Sequence, residues 1–134
     1  MVKIDDIMDL LDWNNSTEKQ EEGIKLACDV KCISVFLQPG APYGKNIWDN
    51  CAIILSKKTD DELRPYLIEL LEWLQDMNWP GAFCILDRMQ KYADTDDYNA
   101  AIDICLRNAQ ALQYEEWEDI LKMLKTKNSI WNTP

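Results

Sequence analysis

Histidine is absent from this chain of 134 residues. Its absence excludes Ser-His-Asp and Cys-His catalytic systems, histidine-ligated zinc or iron, and pH switches that depend on an imidazole. Glycine is scarce, and its four residues do not form the glycine-rich loop that cradles phosphates in nucleotide-binding proteins. The sequence therefore lacks the signatures of the common hydrolases and nucleotide-binding folds, and we expect neither a cofactor nor a metal ion.

Valine and long apolar runs are also scarce. Valine occurs only three times, and no segment alternates as a half-buried strand would. No run approaches the roughly 18 apolar residues that a membrane span needs. The first 13 residues include four aspartates, unlike a secretory signal. We therefore expect an all-α cytoplasmic protein with no membrane segment.

Positive charge is in short supply, because fourteen Lys and Arg residues face twenty-four Asp and Glu residues, a net charge of −10. Such a surface repels nucleic acid and anionic membranes, since both are bound through basic residues. Another protein, basic in character, is the complementary partner. The alternative is that the charge only maintains solubility. The sequence leaves the oligomeric state open.

The cysteines do not suggest a disulfide framework or a zinc ribbon, because their number is odd and no two are spaced as C-x-x-C. Most fall at apolar positions of helical patterns, where cysteine packs as a small hydrophobic residue. We expect all five to be reduced: Cys28, Cys32, Cys51, Cys84 and Cys105.

Apolar residues recur at helical spacing from end to end. The clearest helix is predicted between Asp60 and Met77, where five leucines share one face: Leu63, Leu67, Leu70, Leu71 and Leu74. Thr59 is its predicted N-cap, and Asn15 or Thr17 is expected to cap an earlier helix. The other predicted helices span about residues 2–11, 17–29, 30–37, 46–57, 79–92, 98–112 and 115–125, before a tail that ends in Trp131 and Pro134.

Four tryptophans recur at similar intervals of 35, 31 and 38 residues: Trp13, Trp48, Trp79 and Trp117. Three of them, Trp48, Trp79 and Trp117, are predicted to begin helices with apolar residues at i+3, i+4 and i+7. Repeats of this length with two helices each are typical of an α-solenoid, although an ordinary helical bundle can repeat at a similar interval. In either case we expect the tryptophans to fill the space between helix pairs.

The segment from Leu63 to Ala82 resembles a HEAT repeat. It has Pro65 early in its first helix, a run of leucines, Asp76 at the turn and a short second helix. It departs from the HEAT pattern at Pro80-Gly81, where valine and arginine are usual. The chain is also similar to small bacterial HEAT-like families of unknown function, with residues 73–80 as the signature. The resemblance implies one domain over residues 1–134, a short right-handed solenoid of about seven or eight helices.

Two surfaces are candidates for binding. One is the Pro- and Gly-rich loop and the helix start that follows it, with Tyr43, Lys45, Asn46 and Trp48; its alternative is a plain connector. The other follows the predicted 60–77 helix and its turn. There Tyr66, Trp73 and Met77 form a stripe that is either exposed or packed on a neighbouring repeat, and the turn adds three residues: Asp76, Asn78 and Trp79.

These features favour a non-catalytic protein-binding module with an acidic, aromatic-containing surface. Its narrowest form is an immunity-type inhibitor of a basic toxin or nuclease, a role that the resemblance to small acidic helical proteins implies. Two alternatives remain: a small enzyme that uses carboxylates, and a structural protein that self-associates through the stripe of Tyr66, Trp73 and Met77.

Overall fold

Helices account for most of the chain. The computed structural model describes residues 3–131, with side chains described as far as residue 125. Those residues contain no strand, which confirms the all-α prediction. The α-helices are α1 (Ile4–Leu10), α2 (Thr17–Ala27), α3 (Trp48–Ser56), α4 (Asp60–Leu63), α5 (Leu67–Glu72), α6 (Ala82–Gln90), α7 (Asp96–Leu112) and α8 (Glu115–Trp131). Short 3₁₀ helices lie at Ile33–Phe36, Lys45–Ile47, Arg64–Tyr66 and Trp73–Gln75.

The helices pack as two rows. α1 packs on α2, and then α2, α3, α6 and α8 contact one another in chain order. In the second row α5 packs on α7, and α7 also packs on α8. This order of contacts is consistent with a stack of helix pairs and with an ordinary helical bundle. The HEAT-like character and the right-handed sense of the stack stay predictions.

Capping residues determine where several helices begin. Thr59 forms the predicted cap as a full capping box: its Oγ1 accepts from the Glu62 backbone N–H at 3.2 Å, and its own N–H donates to Glu62 Oε1 at 3.1 Å. These bonds to the carboxylate lower the pKa of Glu62. At α2, Ser16 from the predicted run of N-cap candidates at residues 14–17 accepts the Lys19 backbone N–H, so neither Asn15 nor Thr17 is the cap.

The predicted 60–77 helix is not continuous. Its leucine face is buried as expected, but the segment divides into α4, a 3₁₀ turn, α5 and a second 3₁₀ turn that ends at Gln75. Pro65 lies in the first 3₁₀ turn, Arg64–Tyr66, where it lacks the N–H that an uninterrupted helix would use.

The next boundary also differs from the prediction. Trp79 and Pro80 do not open α6, which begins at Ala82, because Gly81 adopts a left-handed backbone with φ of 84°. At the other end, α8 extends past Lys125 to Trp131, where a tail is predicted, and Pro134 lies outside the described residues.

The repeat tryptophans do not share one environment. Trp117 is buried, and its indole N–H donates to the Leu71 carbonyl oxygen at 3.0 Å, so it closes the junction between α5 and α8 as predicted. Trp13 differs, because 47% of its surface is exposed in the turn between α1 and α2. The prediction that Trp13 fills a space between helix pairs is therefore wrong.

We predict that Trp73→Ala lowers the free energy of unfolding by about 3–5 kcal/mol, because it empties a fully buried site. Urea denaturation measures the change. Trp13→Ala is the matched control, since its ring is half exposed, and it should cost less than about 1 kcal/mol. Equal stabilities for the two variants would contradict the burial of Trp73.

Candidate functional site

Three tryptophans meet at the start of α3: Trp48, its first residue, and Trp73 and Trp79 from the segment before α6. The ring of Trp48 lies edge-on to Trp73, with centroids 5.9 Å apart, and edge-on to Trp79 at 6.0 Å. Trp73 is fully buried, whereas Trp48 and Trp79 are half-buried. Edge-to-face pairs of this kind are worth about 0.5–1.5 kcal/mol beyond their buried area. The cluster therefore holds the ring of Trp79 at the surface against a rigid base.

The turn that carries Trp79 is fixed by hydrogen bonds on both sides. Asp76 Oδ1 accepts from the Asn78 N–H at 2.9 Å, and the Asp76 carbonyl oxygen accepts from the Trp79 N–H at 3.0 Å. Asp76 thus braces the tight turn that leads to Trp79. On the inner side, the indole N–H of Trp73 donates to the Pro80 carbonyl oxygen at 3.0 Å.

Gly81 lets this turn lie directly on α3. A Cβ at position 81 would stand 2.7 Å from the Ala52 Cβ and 3.0 Å from both the Trp48 carbonyl oxygen and Trp73 Cζ2. No side chain fits in that space, and the left-handed backbone independently favours glycine. The departure from the HEAT pattern at Pro80-Gly81 is therefore the feature that places Trp79.

The loop before α3 joins the same region through Trp48. The indole N–H of Trp48 donates to the Pro39 carbonyl oxygen at 3.0 Å, and the Lys45 ammonium lies 5.8 Å from the centre of the ring. Two other predicted residues of this loop make contacts with the first turns of the chain. The Tyr43 hydroxyl donates to Asp5, which raises the pKa of Tyr43, and the Asn46 carbonyl oxygen accepts from the Trp13 N–H at 3.0 Å.

The predicted stripe of Tyr66, Trp73 and Met77 does not form an exposed patch. Trp73 is a core residue, and Tyr66 and Met77 are half-buried. The alternative, that the stripe packs on neighbouring helices, is the correct one for Trp73. Tyr66 does not line the concavities around Trp79, whereas Met77 borders one of them.

Two adjoining concavities, of about 280 and 320 Å³, share Gln75 and Trp79 as common walls. We call them together the acidic groove. Its lining consists of Leu37, Gln38, Glu69, Glu72, Gln75, Asp76, Trp79, Tyr114 and Glu116. Four of these residues are carboxylates and none is lysine or arginine.

The charge of the acidic groove has a visible origin in the sequence. No lysine or arginine occurs between Arg64 and Arg88, a stretch that includes three of the four groove carboxylates. Within the groove, burial raises the pKa of Glu72, and the nearby charge of Glu69 raises it further. Negative charge is therefore concentrated here without a cation in the lining to neutralise it.

A third concavity, of about 380 Å³, lies against Trp79 and is bordered by Asp49 and residues 77–84. Phe83 is one of its lining residues, and 71% of the surface of Phe83 is exposed. The buried residues of α6 are Ala82, Ile85 and Met89, so Phe83 lies off the face of the helix that meets the core.

Two of the cysteines belong to the core. Cys51 and Cys105 are buried, and burial raises the pKa of each thiol to about 12, so both stay protonated at neutral pH. Across residues 3–125, no group of three or more cysteines and carboxylates is arranged to hold a metal ion. None of the described helices combines the length and apolar character needed to cross a membrane.

We predict that Gly81→Ala lowers the free energy of unfolding by about 2 kcal/mol or more, because it combines a left-handed backbone with a steric clash. It should also move the Trp79 indole signal in a ¹H–¹⁵N spectrum. Gly40→Ala is the control, since open space surrounds that position, and it should change stability by less than about 0.5 kcal/mol. Equal effects would show that the 76–81 turn is not constrained.

We predict that Glu72→Gln stabilises the protein at pH 7. The raised pKa of Glu72 means that the folded chain binds its proton more tightly than the unfolded chain, so stability falls as pH rises from the ordinary value of 4.5 through the folded pKa. Below about pH 3, where both states are protonated, the variant should match the wild type. Thermal unfolding at both pH values measures this. A less stable variant at pH 7 would contradict the prediction.

Comparison with known proteins gives one match. The family described as "Domain of unknown function (DUF5071)" matches residues 44–132. The matched stretch begins just before α3 and covers all four carboxylates and both aromatic residues of the acidic groove. No curated protein and no solved structure gives a significant match. Only Leu37 and Gln38 of the groove lie before the matched region.

Proposed function

Because the chain belongs to the DUF5071 family, a domain of unknown function, we propose its role from its surface: it is a non-catalytic protein-binding module whose acidic groove receives a basic segment of another protein. The observation that carries the proposal is the combination of four carboxylates and two aromatic rings in a groove whose described lining residues include no lysine or arginine.

The chemistry of the groove suits a lysine- or arginine-bearing chain. The carboxylates of Glu69 and Glu72 can pair with its cations, while Trp79 and Tyr114 offer flat rings on which its methylene stems pack. Tyr114 is 47% exposed, and Trp79 is held from below by the tryptophan cluster. Tryptophan and tyrosine are also the residues that contribute most often to binding energy at protein interfaces.

The shape of the site supports binding rather than catalysis. Both parts of the groove are open at the surface, so water reaches the carboxylates, whereas acid–base catalysis by a carboxylate pair needs a closed and shielded pocket. Self-association through the predicted stripe loses its basis, because Trp73 is buried. The net charge of −10 also opposes the approach of a second copy.

The proposal also includes a HEAT-like arrangement of the helices and a location in the cytoplasm. The two rows of helices support a short HEAT-like stack that presents the groove. The exposed thiols of Cys28 and Cys32 are free, which supports a reducing compartment such as the cytoplasm.

The test is a titration of ¹⁵N-labelled protein with a blocked oligo-lysine peptide, followed by ¹H–¹⁵N spectra. We expect the largest changes at the indole N–H of Trp79 and at the amides of Glu69, Glu72 and Tyr114. The double variant Glu69→Gln/Glu72→Gln should bind about fivefold more weakly, since each exposed ion pair contributes about 0.5 kcal/mol.

The matched control is Glu21→Gln/Glu22→Gln, which removes the same charge from the exposed face of α2. It should leave the affinity within about twofold of the wild type, because screening weakens distant charges. Spectral changes spread evenly over all acidic segments, with equal losses of affinity in both double variants, would contradict a specific groove. Net charge alone would then account for the binding.

A further inference from the structure

Phe83 is the most exposed of the large apolar side chains described. It is 71% exposed in the first turn of α6, and the concavity beside it is bordered by Met77, Trp79 and Pro80. Single exposed apolar residues are common, but contiguous apolar borders of a concavity mark interaction surfaces. We call these four residues the Phe83 patch.

The Phe83 patch and the acidic groove are parts of one surface. Trp79 lines both of them: it borders the groove beside Glu69, Glu72 and Gln75, and it borders the concavity of the Phe83 patch. The turn that joins them is held by the Trp73 indole and by Asp76. A single chain lying across Trp79 would therefore contact both regions at once.

The charges beside the Phe83 patch indicate the character of its occupant. Asp49 borders the same concavity, and no lysine or arginine does. A second copy of this chain in a two-fold dimer would place Asp49 and the groove carboxylates near their own equivalents, which is unfavourable. Charge complementarity therefore favours a different, basic chain.

We propose that the partner segment is amphipathic: basic side chains enter the acidic groove, and an apolar side chain a few residues away packs on the Phe83 patch. This inference rests on the proposed function, because it takes the acidic groove as the site of the basic residues. It adds the chemical class of the partner, a basic segment that also carries leucine or an aromatic residue.

The experiment compares two peptides, a blocked oligo-lysine and the same peptide with one leucine inserted, on the wild type and on Phe83→Ala. The leucine peptide should bind the wild type about fivefold more tightly than the oligo-lysine, and Phe83→Ala should abolish that gain without changing oligo-lysine affinity. Trp13→Ala, which removes an exposed ring far along the chain, is the control and should preserve the gain.

The outcomes separate this inference from the proposed function. If oligo-lysine binds the groove but leucine adds no affinity, or if its gain survives Phe83→Ala, the Phe83 patch is not part of the site and the inference fails alone. If neither peptide perturbs the groove, the proposed function fails and the inference with it. A concentration-dependent dimer in sedimentation that Phe83→Ala dissociates would assign the patch to a second copy and overturn the inference.

Discussion

The hydrogen bond from the Trp73 indole to the Pro80 carbonyl oxygen is the contact on which the rest of the surface depends. A buried N–H without an acceptor costs about 1–3 kcal/mol, so the ring and the turn constrain each other. With the Pro80 carbonyl held, Gly81 lies against Ala52, α6 begins at Ala82, and Trp79 stands edge-on to Trp48. The buried side chain of Trp73 thus determines where the side chain of Trp79 lies at the surface.

This arrangement explains how a small domain without histidine or a metal cluster among its described residues can still offer a defined site. Trp79 borders both the acidic groove, with Glu69 and Glu72, and the concavity that Phe83 lines. Because its ring is fixed before any partner arrives, little conformational freedom is lost on binding. The net charge of −10 would steer basic chains toward the protein, and the groove would select among them.

Local rules predicted the helical class, the leucine face and the Thr59 cap, because each depends on neighbours a few residues away. They left Trp73 open between core and surface, since helices pack on both sides of its segment and only those tertiary contacts decide that it is buried. The acidic groove joins Gln38, Glu72 and Tyr114 from three separate segments, a meeting that no local pattern encodes. Its one sequence signal is the lack of basic residues between Arg64 and Arg88.

The most direct measurement is an isotope-filtered NOE experiment between the labelled protein and an unlabelled basic peptide that carries one leucine. The account predicts contacts from lysine methylene protons to the Trp79 ring and from leucine methyl protons to the Phe83 ring. Contacts confined to other acidic segments, such as Asp94 to Asp97, would contradict it, because the peptide would then follow charge alone and ignore the surface that Trp73 and Gly81 position.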